Sequence, residues 1–165
     1  MHTNDPDRPA AAGPDTGAGW VLVAAQAVLL GLSAGLRSGT HWPRPGVLRA
    51  GAGVGQLAGV AMAGAAAVSL HDGLTALPYP NAHAELRTGG LFARVRHPIY
   101  TGLLLAVISR SAASGRPAQL GVAGALLVLF QVKTRIEEDA LRQRFPDYDR
   151  YAATTPRLLP RLAKR

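Results

Sequence analysis

The chain has 165 residues, 48% of them apolar but only 5% aromatic, with a net charge of +8 and no cysteine. The missing thiols exclude disulfides, thiolate metal sites and cysteine nucleophiles. The basic charge calls for an anionic partner, but nine of the 18 Lys and Arg fall in residues 133–165, directly behind an apolar run, as in a membrane flank. The sparse aromatics exclude the stacking platform of a single-strand nucleic-acid binder.

Residues 1–18 are rich in Pro, Ala, Gly and Asp and are expected to be a disordered tail. Asp5, Asp7 and Asp15 outnumber Arg8, unlike the n-region of a secretion signal, so the next segment reads as an uncleaved anchor. Trp20–Leu36 carries no charge and is long enough for a bilayer helix, with Trp20 at its boundary. A short polar connection with two prolines follows. Ala50–Leu70 is again free of charge and repeats Gly51, Gly55 and Gly59 on one helical face, a device for close approach of a neighbouring backbone. The formal dinucleotide fingerprint from Gly53 lacks the preceding strand that would give it meaning.

Residues 71–98 are a polar loop. Ile99–Ile108 and Gln119–Val132 are short apolar runs separated by "SRSAASGRP" and are expected to pair as a tight helical hairpin. Beyond Lys133, Ile136, Ala140, Leu141, Phe145 and Tyr148 keep a helical period on a charged background. The fourth helix should therefore leave the membrane as an amphipathic helix that Pro146 ends or kinks. The expected fold is all-α and integral to a membrane, with about four transmembrane or embedded helices and one domain over residues 19–165. Four spans would put 13 of the 18 basic residues, and all ten acidic ones, on one side. The positive-inside rule makes that side, with both termini, cytoplasmic, in a plasma or bacterial inner membrane.

Two polar clusters meet on that side. "RVRHPIYTG" opens the third helix; Arg135, Glu137 and Glu138, then Tyr148, Tyr151, Pro156 and Arg157, close the fourth. A short antiparallel hairpin brings these ends together. Taken piecemeal the clusters admit plainer roles. "RVRHP" suits a basic flank with a helix-starting proline. Glu138 with Arg142, and Glu137 with Lys133, suit surface pairs four residues apart. Tyr148 and Tyr151 suit interfacial anchors. His41, His71 and His83 lack metal-ligand spacing.

In register, the pieces resemble the isoprenylcysteine carboxyl methyltransferase family and the related phospholipid N-methyltransferases. The resemblance rests on Arg96, His97, Pro98, Tyr100 and Gly102, then Glu137, Glu138 and Leu141, then Phe145, Tyr148, Tyr151, Pro156, Arg157 and Pro160. It covers residues 77–160, and departs from the family where Pro146 follows Phe145 in place of glycine. It implies an S-adenosylmethionine-dependent membrane methyltransferase, with a cofactor pocket made by this half of the chain and a lipophilic small molecule or lipidated acceptor. In that frame Glu137 or Glu138 suits the cofactor's ammonium and Arg96 or His97 its carboxylate, with Pro98, Tyr100, Gly102 and Tyr148 completing the pocket. The catalytic candidates are Arg135, to steer a carboxylate acceptor, and Glu138. The competing functions are an NADPH-dependent membrane lipid or sterol reductase, which shares an Arg-His-Pro pattern, and a non-enzymatic membrane component.

Overall fold

The computed structural model describes residues 16–36, 42–43 and 45–160. The expected tail lies outside them, except that Thr16, Gly17 and Ala18 already belong to the first helix. Five α-helices follow in order: α1 (Thr16–Gly35), α2 (Gly46–Leu70), α3 (Pro98–Ser114), α4 (Pro117–Arg144) and α5 (Tyr148–Thr154). Short 3₁₀ turns lie at His71–Gly73 and Gly90–Ala93, and no strand occurs among the described residues.

α1, α2 with its following turn, and α4 are long and apolar enough to cross a membrane. Their apolar side chains point largely outward: Val21, Val54, Leu57, Val68 and Val128 are each about two-thirds exposed or more. α3 has 17 residues, the lower limit for a span. It runs beyond the expected stop at Ile108. Ser111 turns its hydroxyl back to the Val107 carbonyl and so stays compatible with the helix. The stop is Gly115, whose φ of 62° closes α3 in the left-handed region. Arg116 then leads into Pro117 at the first turn of α4, which makes the α3–α4 connection a tight hairpin. α4 continues unbroken past its apolar part and ends at Arg144, just before the Phe145-Pro146 pair.

α3 is central. It packs on α2 along most of its length, and on α4 and α1 with its other face. The core between α3 and α4 holds Leu104, Val107, Ala123, Leu126 and Phe130, and Leu158 of the C-terminal segment closes it. On the α2 side there is almost no side chain. A Cβ on Gly59 would lie 2.5 Å from the Gly102 carbonyl oxygen, and a Cβ on Gly102 would lie 2.5 Å from that of Gly59. Gly55 meets Ser109, whereas Gly51 has nothing within 4 Å. The glycine face therefore works as a crossing at Gly55 and Gly59 and not at Gly51.

Gly59→Leu is expected to force α2 and α3 apart and destabilise the fold by about 2–3 kcal/mol. Gly51→Leu should leave stability within about 0.5 kcal/mol. Thermal unfolding of the two variants in the same detergent compares them.

Candidate functional site

The ends of α3 and α4 meet around one carboxylate. Glu138 has no exposed side-chain surface. Arg96 donates to its Oε1 from Nε at 2.9 Å and reaches it from Nη2 at 2.8 Å. Arg157 donates from Nε to Oε1 at 2.9 Å and from Nη2 to Oε2 at 2.7 Å. His97 Nε2 lies 3.2 Å from Oε1, and Arg142 Nη2 lies 3.5 Å from Oε2. Burying so many charges is favourable only because each finds a partner. Arg96 gives its remaining reach to backbone, with Nη1 donating to the carbonyls of Ala152 (2.8 Å) and Thr155 (2.5 Å). The network ties the start of α3, the end of α4 and the segment after α5. Two backbone bonds seal it, from Arg96 N to Pro156 O and His97 N to Arg157 O.

Above this network is a cavity of about 390 Å³, within the range of about 300–1,000 Å³ usual for small-molecule pockets. Loop residues 73–87 cover it, and α3, α4, α5 and the inner faces of α1 and α2 wall it. The helical phase of α4 decides which side chains reach it. Lys133, Glu137 and Leu141 are four apart and all line the cavity. Glu138 is about 100° further round and turns into the network instead. The Glu137 carboxylate accepts from Tyr100 Oη at 3.0 Å and lies 3.8 Å from His97 Nδ1. With ionised Glu138 accepting from Nε2, Nδ1 is the imidazole nitrogen left towards Glu137. Lys133 Nζ donates to Gln26 Oε1 at 2.7 Å and to the Ala76 carbonyl at 3.2 Å, and sits 5.4 Å from the Tyr100 ring centroid.

The tyrosines of α5 complete the wall. Tyr151 Oη donates to the Phe92 carbonyl at 2.6 Å, and burial pushes its pKa up to about 12. Burial also raises Tyr148, with Glu138 adding to the effect, so both remain protonated donors at neutral pH. Tyr148 is 1% exposed, yet its hydroxyl has no hydrogen-bond partner. A buried hydroxyl in that state on a cavity wall lacks its natural complement.

Of the expected site residues, the structure gathers Arg96, His97, Pro98, Tyr100, Glu137 and Tyr148 around the cavity. Three fall elsewhere. Glu138 lies beneath the floor and binds protein groups. Gly102 faces Gly59 in the helix crossing, where the need is for no side chain at all. Arg135 is exposed and outside the cavity lining, because it stands two residues, about 200°, from Glu137 on the same helix. Arg96 lines the cavity but already uses its guanidinium on Glu138 and two carbonyls. Four contributors were not anticipated as site residues: Gln26, Lys133, Arg87 and Tyr151. Gln26, a polar residue in the middle of the first apolar run, and Lys133, at the end of the last, could have been found by asking why such residues stand there. Arg87, paired with Glu85 at 3.0 Å, gives no such signal.

Among the described residues the chain is all-helical, with three helices fit to cross a membrane and a largely apolar cavity bearing a few charged groups at one end of the bundle, and that is the class that fold and site define. No model of a known protein family matches the chain. Among curated proteins, the nickel-cobalt-cadmium resistance protein NccN of Alcaligenes xylosoxydans xylosoxydans is 30% identical over 80 residues, covering 48% of this chain. The match spans 38% of the length of that relative.

Glu138→Gln is expected to strip the arginines of their shared counter-charge and destabilise the protein by about 3–5 kcal/mol. Glu137→Gln should leave the unfolding temperature almost unchanged. Measuring both by thermal unfolding in detergent separates the floor of the cavity from its wall.

Proposed function

We propose that this protein is an integral membrane methyltransferase that binds S-adenosylmethionine in the cavity above Glu138 and methylates a lipophilic acceptor. The observation that carries the proposal is that one cavity is lined by both the Glu137 carboxylate and Tyr148, whose hydroxyl has no partner. These groups suit the cofactor's ammonium and a polar ribose or adenine atom. Arg87 is the cation left for its carboxylate, since Arg96 is taken. The motif resemblance through residues 96–102 and 137–160 supports the same assignment.

The bound cofactor would supply a methyl group on a sulfonium, a carbon electrophile. The protein's part is to position and desolvate. Leu70, Leu74 and Ile99 make the cavity wall apolar and exclude water. Glu137, held by Tyr100, fixes one end of the ligand. Lys133, which lines the cavity beside Gln26, steers an anionic acceptor in the role first expected of Arg135. A carboxylate acceptor needs no base. An amine acceptor would pass its proton to His97 Nδ1, the nitrogen not held by Glu138.

In this proposal α1, α2 and α4 cross the membrane, α3 makes a short fourth crossing, and both ends of the chain are cytoplasmic, as the charge distribution favours. The name of NccN suggests a second role, in handling metal ions. Among the described residues no three His, Cys, Asp or Glu gather into a metal-ligand set.

Titration calorimetry on the detergent-purified protein is expected to show saturable binding of S-adenosylmethionine, and none of NADPH or nickel. Glu137→Gln and Tyr148→Phe should each weaken it about tenfold, the loss of one hydrogen bond to a charged or buried group. Binding of NADPH without the methyl donor overturns the proposal in favour of a reductase. The membrane arrangement is tested separately, since the chain has no native cysteine. Ala118→Cys should react with an impermeant maleimide added outside intact cells, and Gln143→Cys only after lysis.

A further inference from the structure

The end of the bundle away from the Glu138 network holds a second cavity of about 350 Å³, between the end of α1, the first half of α2 at Gln56 and the α3–α4 turn. Its lining is strongly one-sided in charge. Arg110 and Arg116 line it, with Gln56 and Gln119. No Asp or Glu occurs in residues 16–71 or 86–136, so the helices that form this end carry no carboxylate near it.

Most polar groups here are engaged in holding α1. Arg110 donates from Nε to the Ser33 carbonyl at 2.5 Å and from Nη2 to that of Ala34 at 2.7 Å. Gln119 Nε2 donates to the carbonyls of Ser33 and Leu36, each at 3.1 Å. These are the last carbonyls of a helix, which need outside donors. Two atoms remain buried without a hydrogen-bond partner, Arg116 Nε and Gln119 Oε1. The Gln119 side chain is 1% exposed. Its amide cannot be turned round, because both partners of Nε2 are carbonyl oxygens. Two residues of the cavity lining therefore carry an unpartnered cationic donor and an unpartnered neutral acceptor, and the lining holds a second guanidinium, that of Arg110.

We propose that this second cavity binds the headgroup of an anionic phospholipid that carries a hydroxyl, of the phosphatidylglycerol type. The phosphodiester takes Arg116, with Arg110 adding charge, and a glycerol hydroxyl donates to Gln119 Oε1. A guanidinium without a carboxylate suits a phosphodiester, and a zwitterionic choline headgroup has no hydrogen to give the glutamine. Leu120, next to Gln119 and half exposed, offers apolar surface to acyl chains. The site is independent of the cofactor cavity, which lies at the other end of the helices.

Native mass spectrometry of the full chain in detergent, titrated with phosphatidylglycerol, phosphatidylethanolamine and phosphatidylcholine of identical acyl chains, tests this. Phosphatidylglycerol should be retained about tenfold more strongly than phosphatidylcholine, and Arg116→Gln should abolish that preference while Arg116→Lys keeps part of it. Equal retention of phosphatidylglycerol and phosphatidylcholine by the wild-type chain overturns the proposal, and that arm does not depend on any variant folding. An unchanged preference in Arg116→Gln overturns the assignment to this cavity. If glycerol phosphate competes with the lipid at equal concentration, the ligand is a soluble phosphate and the lipid assignment falls.

Discussion

A single buried carboxylate organises this protein. Glu138 is reached by three arginines and a histidine that come from the start of α3, from α4 itself and from the segment after α5. A buried anion with several cationic partners is stable only when all of them are in place. The carboxylate therefore fixes the relative placement of three chain segments, beside the apolar packing of Leu158 and Tyr100 on the α3–α4 core. Everything in the cavity above follows from this. Glu137 faces the space because Glu138 faces the network. His97 keeps its Nδ1 towards Glu137 because its Nε2 is held, and the α5 tyrosines stand where Arg96 draws the Ala152 and Thr155 carbonyls.

Much of this was legible in the sequence, for reasons that can be located. Charge-free runs at 20–36 and 50–70 mark α1 and α2, since only helices satisfy the backbone in so apolar a stretch. Pro98 and Pro117, each suited to a first helical turn, mark the starts of α3 and α4. The nearness of Arg96 and His97 to the acidic pair followed from the hairpin alone. What could not be read was phase and context. Nothing local says which of two adjacent glutamates turns inward until the neighbouring helix is in place. Arg135 looked suitable by its distance along the chain and fails by its angle about the helix. Gly102 sits inside a motif that resembles a cofactor site, yet its observed neighbour is Gly59, 43 positions earlier in the chain. The covering loop, with its contacts from Leu77 and Tyr79 to Gly19, has no periodic signal at all.

The two ends of the bundle use opposite electrostatic solutions. At the α4 C-terminal end, positive groups outnumber negative ones but are interleaved with them, and each guanidinium of the network has a carboxylate. At the other end, arginine meets backbone carbonyls of α1 and no acid. Helix C-termini carry partial negative charge, so Arg110 is well placed on the last turn of α1. That arrangement leaves local positive charge with no acid to meet it, whereas at the Glu138 end the guanidiniums of the network are paired with carboxylates of the chain.

The late position of Arg157 has a consequence for biogenesis. The apolar helices can form one after another as they leave the ribosome, but the carboxylate at their junction acquires the arginine that grips both its oxygens only after residue 157 has been translated. Until then Arg96, His97 and Glu138 form an unfinished knot, without the backbone clasp that Pro156 and Arg157 provide. The junction is thus completed in one late step, when a short length of chain folds back on helices already in place, and a nascent chain interrupted just before it would hold those helices with the junction still open.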